Sequence, residues 1–331
     1  MASASASEPL PRTAGEMLRM GREFLARKGV AEARLDAELL VAHALGCDRL
    51  HLFLDLERPL TADELARGRE LLARRGKREP VAYLTGNRDF YGRVFHVNAS
   101  VLIPRSETEL LVDLARASVR ERALAAPRIL DVGTGSGVLA LTLALELPGS
   151  RVTAVDLSAA ALTVARANAE RLGGAAREVV FLETDGGLPA RSSGPFDLLV
   201  SNPPYVAREV QASLSPEVRD HEPALALFAP AGDPHHWVRR LLAEADELLA
   251  PGGVLLVELG HDQGDEALRL AGDRPARAAA RRRCAWDARR ACAPYSSSEA
   301  SAVPEATAPR TCKSSVRRSD SLMSCRNTAI S

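Results

Sequence analysis

The sequence predicts an α/β protein: a mostly parallel sheet with helices on both faces, preceded by a small helical bundle and a β-hairpin linker. Two observations carry this. From Arg128 onward, strand-like runs at 128–132, 151–156, 178–183, 196–201 and 253–258 alternate with helical runs at 137–147, 158–172 and 234–249. Strand, helix, strand repeated in this way gives parallel strands joined by crossover helices. Ahead of it, from Thr13 to about Gly76, apolar residues recur mostly three and four positions apart, the spacing of one buried helix face. A length of 331 residues suits two domains.

Taken in order, residues 1–12 are small, polar and proline-punctuated, and are expected to be disordered. Residues 13–79 form the helical domain. Thr13-Ala-Gly-Glu16 and Thr61-Ala-Asp-Glu64 each have the form of a capping box, and Gly29, Gly46 and Gly76 stand where a left-handed residue ends a helix. In the linker, 80–104, Phe90-Tyr91-Gly92 and Val94-Phe95-His96-Val97 read as short strands around a turn at Gly92-Arg93. Ser106-Glu-Thr-Glu109 restarts a helix with a third capping box and opens the sheet domain, 105–271. Residues 272–331 offer Val303, Val316, Leu322 and Ile330 as their aliphatics. So few cannot offset the entropy of ordering sixty residues, and a disordered tail with no further sheet strand is expected.

Composition narrows the function classes. The chain is 46% hydrophobic and 26% charged, ordinary for a globular protein, and no run of eighteen apolar residues predicts a membrane span. The start, MASASASEPLPRT, lacks the basic and apolar regions of a secretory signal, so a cytoplasmic location is expected. The formal net charge of zero hides an asymmetry. Residues 272–331 hold 12 Lys and Arg against 5 Asp and Glu, leaving 31 against 38 in residues 1–271. An acidic body is a poor match for nucleic acid, whose binding rests on neutralising phosphates. Four of the five cysteines lie in the tail, at spacings that match no zinc or redox signature, so no metal site is expected.

Two loops carry the chemistry. Asp131-Val-Gly133-Thr134-Gly135-Ser136-Gly137 follows a strand and opens a helix, and Asp156 ends the next strand, where a carboxylate can accept both hydroxyls of a ribose. The form is G-T-G-S-G rather than G-x-G-x-x-G. An acidic residue two positions ahead suits a cofactor with an amino group and no pyrophosphate, so S-adenosylmethionine fits better than a dinucleotide. Asp185, ending the third strand, either reaches an adenine amino group or is a plain loop aspartate. Asn202-Pro203-Pro204-Tyr205 follows the fourth strand. It reads either as a proline turn capped by asparagine or as a methyl-transfer site. In the second reading the Asn202 side-chain oxygen and the Pro203 carbonyl accept the two hydrogens of a planar NH₂ group, stiffened by Pro204, with the Tyr205 ring as a flat face. Orientation then supplies most of the catalysis, up to about 7–11 kcal/mol in favourable cases.

These motifs together resemble class I S-adenosylmethionine-dependent methyltransferases acting on amide or amino nitrogen, which implies a Rossmann-like sheet. Glu79-Pro-Val-Ala-Tyr-Leu-Thr-Gly86, Phe90-Tyr91-Gly92 and Leu102-Ile-Pro-Arg-Ser-Glu-Thr-Glu109 narrow the resemblance to the peptide chain release factor glutamine methyltransferases, over roughly residues 13–271. The resemblance implies methylation of the glutamine N5 in the Gly-Gly-Gln loop of class 1 release factors, by a monomer whose helical domain helps hold the factor. Asn202, Pro203 and Tyr205 would be catalytic, with Pro204 also binding substrate. Asp131, Gly133, Thr134, Gly135, Ser136, Gly137, Asp156, Asp185, Gly186 and Asn202 would bind the cofactor. The family usually has proline at the position of Ser106 and often a bulkier residue at Gly186, so a contact there would fall to backbone. An adenine-N6 methyltransferase acting on DNA or RNA would use the same loop but should carry a basic groove or a target-recognition domain; a non-enzymatic binding module is the third class. After about residue 271 the chain departs from the family, which continues with a helix and two closing strands. A reading-frame shift or divergent end is one reading of this, a basic RNA-binding tail the other.

Overall fold

A computed structural model describes residues 10–272 and 277–279. The chain opens with five helices: α1 (Ala14–Arg27), α2 (Ala33–Ala44), α3 (Arg49–Leu54), α4 (Ala62–Gly76) and α5 (Val81–Thr85). Met17, Leu18, Leu25, Leu40, Val41, Leu52, Leu71 and Leu72 form their shared core. Thr61 and Glu64 complete a capping box at α4. At α1 the box is half made: the Thr13 hydroxyl accepts from the Glu16 amide, while the Glu16 carboxylate accepts from the amide of Arg12. Gly29 and Gly46 are left-handed as expected. Gly76 is not; it stays in the last turn of α4, where a Cβ would lie 2.7 Å from the Phe24 ring, and Arg78 takes the left-handed conformation (φ 73°).

The hairpin pairs β1 (Asn87–Phe90) with β2 (Arg93–His96). Its turn is Tyr91-Gly92, one position earlier than the sequence predicts, with φ of 50° and 70°. Tyr91 is held there because its amide donates to the Glu109 carboxylate (2.7 Å) and its hydroxyl to Asp113 (2.7 Å). That bond also removes the third capping box. Ser106–Thr108 is a 3₁₀ turn leading into α6 (Glu109–Glu121), and the Ser106 hydroxyl points to the Glu107 carboxylate instead of a helix amide.

The sheet follows as β3 (Arg128–Val132), α7 (Val138–Glu146), β4 (Arg151–Asp156), α8 (Ala159–Leu172), β5 (Val180–Glu183) and β6 (Phe196–Ser201). After β6 come α9 (Pro216–His221), α10 (Ala224–Leu227), α11 (His236–Leu248), β7 (Leu249–Val257), α12 (Gly264–Gly272) and β8 (Arg277–Ala279). The six strands are parallel, in the order β5-β4-β3-β6-β7-β8. Along the buried strands successive side chains serve opposite faces. Ile129, Leu198, Val200 and Leu256 pack on α6 and α7, while Leu130, Val132, Leu199 and Leu255 pack on α11.

β8 corrects the expectation that no strand follows residue 271. It pairs with β7 from Val254↔Arg277 to Leu256↔Ala279. The open edge of β7 offers unpaired backbone groups that any extended segment can satisfy. An Arg-Ala-Ala run has no β-branched residue to announce this. Apart from Gly272 and β8, the tail expected to be disordered lies outside the described residues, as do residues 1–9.

Because β4 and β5 lie on one side of β3, and β6 to β8 on the other, the order reverses between β3 and β6. Loops leaving their carboxyl ends diverge there and open a crevice. Two further connections wall it. The segment after the hairpin, held by Tyr83, whose hydroxyl donates to the Val101 carbonyl (2.6 Å), forms one side. The excursion between β6 and α11 forms the other. Glu222 ties the two, accepting from the Ile103 amide (3.2 Å) and Arg105 (2.6 Å). Arg75 on α4 fastens the helical bundle to the same excursion, donating to Asp36 (2.6 Å) and Glu217 (2.9 Å), all three side chains buried. Among the described residues no helix is long and apolar enough to cross a membrane.

Candidate active site

The crevice is open to solvent and is lined by residues from both sides of the strand-order reversal. Both loops singled out in the sequence meet in it. Gly133, Thr134, Gly135, Ser136, Asp156, Asp185, Gly186, Asn202, Pro203 and Pro204 line it; Asp131, Gly137 and Tyr205 are not among the lining residues and stand behind it.

The glycine loop is zipped to the neighbouring strand. The amides of Gly133 and Thr134 donate to the Val155 carbonyl (2.9 and 3.0 Å), and that of Gly135 to the Asp156 carboxylate (2.8 Å). These amides are therefore engaged, and the loop offers space rather than donors. A Cβ at Gly133 or Gly135 would meet nothing within 4 Å, and both residues are left-handed (φ 75° and 56°). Beneath the loop, Asp131 is fully buried. Its Oδ2 accepts from the Thr134 hydroxyl (2.7 Å) and from the Ala140 amide in the first turn of α7 (3.2 Å). Its Oδ1 is buried with no partner among the described residues. Burial pushes this carboxyl up to about 7, because desolvation disfavours the charged form. Asp156 is also raised by burial; its second oxygen accepts from the Ser158 amide (2.9 Å).

At the far end of the crevice, the Asp185 carboxylate is engaged by Arg240 (2.7 Å), whose guanidinium lies 5.3 Å from the centre of the Trp237 ring. The Arg240 and Glu244 side chains fill the space a Cβ at Gly186 would need. That glycine is left-handed (φ 86°), and the amide of Gly187 donates to Glu244 (2.6 Å). Trp237, at the start of α11, lines the crevice.

Around the Asn-Pro-Pro-Tyr loop, Asn202 Nδ2 donates to Thr108 Oγ1 (3.1 Å), and the Thr108 hydroxyl donates to Glu258 Oε2 (2.7 Å). The Tyr205 hydroxyl reaches the other oxygen of Glu258 (3.3 Å), and Gln263 Nε2 donates to the Tyr205 carbonyl (3.0 Å). Glu258 and Thr108 are buried, and burial raises the Glu258 carboxyl above its usual range. Sequence reading placed Glu258 at the end of a strand-like run and missed Thr108 and Gln263. Ser106-Glu-Thr-Glu109 looked like a helix start, which hid the side chain that faces the site.

Comparison with known proteins identifies the arrangement. Residues 16–86 match the family described as "PrmC N-terminal domain", and residues 107–217 match "Methyltransferase small domain". The "Release factor glutamine methyltransferase" of Chlorobaculum tepidum is 47% identical over 263 residues, covering 78% of this chain and 88% of that one. The protein of the same name from Geobacter sulfurreducens is 43% identical over 259 residues, with coverage of 78% and 88%. The chain belongs to the release factor glutamine methyltransferase family. It is an S-adenosylmethionine-dependent methyltransferase with a Rossmann-like sheet, and the crevice fits that cofactor. The open space over Gly133 and Gly135 admits a ligand against backbone, and Asp156 stands beside it at the end of β4. Beneath lies Asp131 Oδ1, a buried acceptor without a donor among the described residues. At position 186 stands a glycine over which Arg240 and Glu244 close.

Proposed function

We propose that this protein methylates the side-chain amide nitrogen (N5) of the glutamine in the Gly-Gly-Gln loop of class 1 peptide chain release factors. One observation carries the reading. Asn202, its amide nitrogen held by Thr108, opens into the same crevice as the glycine loop and Asp156. S-adenosylmethionine, when bound, supplies an electrophilic methyl group on a sulfonium. The protein's own residues do the rest. Asp156 takes the ribose hydroxyls, and the loop from Gly133 to Gly137 seats the methionine part over Asp131. Asp185 and Gly186 border the adenine end.

Asn202 Oδ1 and the Pro203 carbonyl accept the two hydrogens of the substrate amide. Pro203 and Pro204 hold those acceptors rigid, and Tyr205, tied to Glu258, anchors the end of the loop. Holding the nitrogen in line is the main contribution. No strong base is required, because the nitrogen becomes acidic on methylation and can lose its proton to solvent. The helical domain, residues 13–79, holds the body of the release factor while the hairpin linker joins it to the methyltransferase domain, and the enzyme acts as a cytoplasmic monomer. The acidic body does not favour a nucleic-acid substrate.

Incubation with methyl-labelled S-adenosylmethionine and either release factor or DNA, followed by peptide mapping, tests this reading. Label on the Gly-Gly-Gln glutamine is expected. Label on adenine, or an unlabelled release factor with cofactor-binding protein, would overturn it.

A further inference from the structure

Three segments far apart in the chain meet behind the Asn-Pro-Pro-Tyr loop. Thr108 precedes α6, Asn202 follows β6, and Glu258 follows β7. Their hydrogen bonds form a series with a direction. An ionised carboxylate only accepts, whereas a threonine hydroxyl has one proton and lone pairs to spare. At 2.7 Å from Glu258 Oε2 the Thr108 proton is committed to the carboxylate. Toward Asn202, 3.1 Å away, Thr108 can then only accept, so the nitrogen of the Asn202 amide must face it. Flipping the amide would set two acceptors against each other at a buried site, with the Thr108 side unsatisfied. The other oxygen of Glu258 takes the Tyr205 hydroxyl (3.3 Å), so one carboxylate grips both ends of the loop.

We propose that Glu258 and Thr108 are positioning residues that fix the orientation of the Asn202 amide, so that its oxygen, and not its nitrogen, is presented to the substrate. The proposal rests on the methyl-transfer reading of Asn202. It goes further in assigning the polarity of the site to a buried carboxylate that never touches the substrate. An asparagine side chain is nearly symmetric in shape, and a flipped one would offer donors to an amide that needs acceptors.

The test uses full-length Glu258→Met, Thr108→Val and Thr108→Ser, and the double variant of the first two. Met and Val roughly keep the shapes of the residues they replace but break the directed series, Met by offering no strong acceptor to the Thr108 hydroxyl, and Ser keeps the hydroxyl. With release factor as substrate, kcat should fall on the order of a hundredfold in Glu258→Met and Thr108→Val, the scale of misplacing a reacting group. KM for S-adenosylmethionine and the melting temperature should hold. Thr108→Ser should recover most of the rate. Because the two residues act in series, the double variant should be no slower than either single one.

A second readout needs no turnover. Hydrogen exchange of the Asn202 side-chain NH₂, its NMR signal assigned by its loss in Asn202→Ala, should be slow in the wild type and faster in both single variants. Losses that multiply in the double variant, losses that fall on KM or melting temperature instead of kcat, or unchanged exchange would each overturn the proposal. Failure of the wild type to label the release factor, with exchange behaving as expected, would strike the substrate reading and leave the positioning role standing.

Discussion

Arg75 joins the helical bundle to the excursion that walls the active site, and replacing it by leucine should be among the most damaging single changes. Its guanidinium is 2% exposed and donates to Asp36 at 2.6 Å, to Glu217 at 2.9 Å and to the Glu79 carbonyl at 3.2 Å. Glu217 would keep Arg78, which donates to it at 2.9 Å. Asp36, itself 4% exposed, would face buried surroundings without its cation. Removing one partner of a buried pair costs about 3–5 kcal/mol, set against a total stability of roughly 5–15 kcal/mol. The pH dependence has a definite sign. Burial already holds the Asp36 carboxyl above its usual range, and without Arg75 it rises further. A group whose folded pKa is raised contributes stability at low pH that is lost as pH rises through that pKa. The deficit of Arg75→Leu should therefore shrink as pH falls and Asp36 takes up a proton. Urea unfolding followed by far-UV circular dichroism, at neutral and mildly acidic pH, measures both effects. The double variant Arg75→Leu/Asp36→Leu should recover much of the loss, since it leaves no orphaned charge. A single-variant loss under about 1 kcal/mol, within the range of exposed pairs, would refute the reasoning, as would a deficit that grows in acid.

Asn202→Ala should abolish methyl transfer while cofactor affinity, measured by calorimetry, stays largely intact, because the lost acceptor serves the substrate amide. Asp156→Ala should weaken S-adenosylmethionine binding by about 1.5–3 kcal/mol, the range for hydrogen bonds to a charged group; it should also loosen the glycine loop, whose Gly135 amide it accepts. Asp131, pushed from its ordinary value of 3.8 up to about 7 by burial, should make the cofactor-free protein lose stability as pH rises from the ordinary carboxyl range to about 7, the sign for a raised folded pKa. Thermal melts across that interval should show the fall in the wild type and not in Asp131→Asn. Bound S-adenosylmethionine, a cation at its sulfonium, should flatten it by favouring the ionised form.

The strand and helix alternation was legible because it is written in local apolar runs, and so were both loops, because glycine and proline punctuate the ends of strands. Where reading failed, a long-range partner decided the local outcome. Tyr91 enters the hairpin turn because Glu109, eighteen positions later, accepts its amide. The same bond takes Glu109 from the capping box that Ser106 seemed to begin. Gly76 remains helical because Phe24 of another helix packs where its Cβ would be. β8 forms on an edge that supplies the pairing, without a side-chain pattern of its own.

The same distinction runs through the active site. Residues that meet a ligand sit on loops whose geometry demands special residue types, so Gly133, Gly135, Pro203 and Pro204 stand out one by one. Residues that orient them are ordinary in type and distant in sequence. Asp131 lies under the glycine loop, where it accepts from Thr134 and caps α7 through Ala140. Glu258 looked like the end of a strand, yet its two oxygens take Thr108 and Tyr205. Both are buried acids whose carboxyls are raised by desolvation. Burying a carboxylate is unfavourable unless hydrogen bonds compensate, and in both places one compensating donor, Thr134 or Tyr205, belongs to a loop that must be held still. Behind each ligand-facing loop stands a buried acid, and the direction of its hydrogen bonds sets what that loop can offer to the crevice.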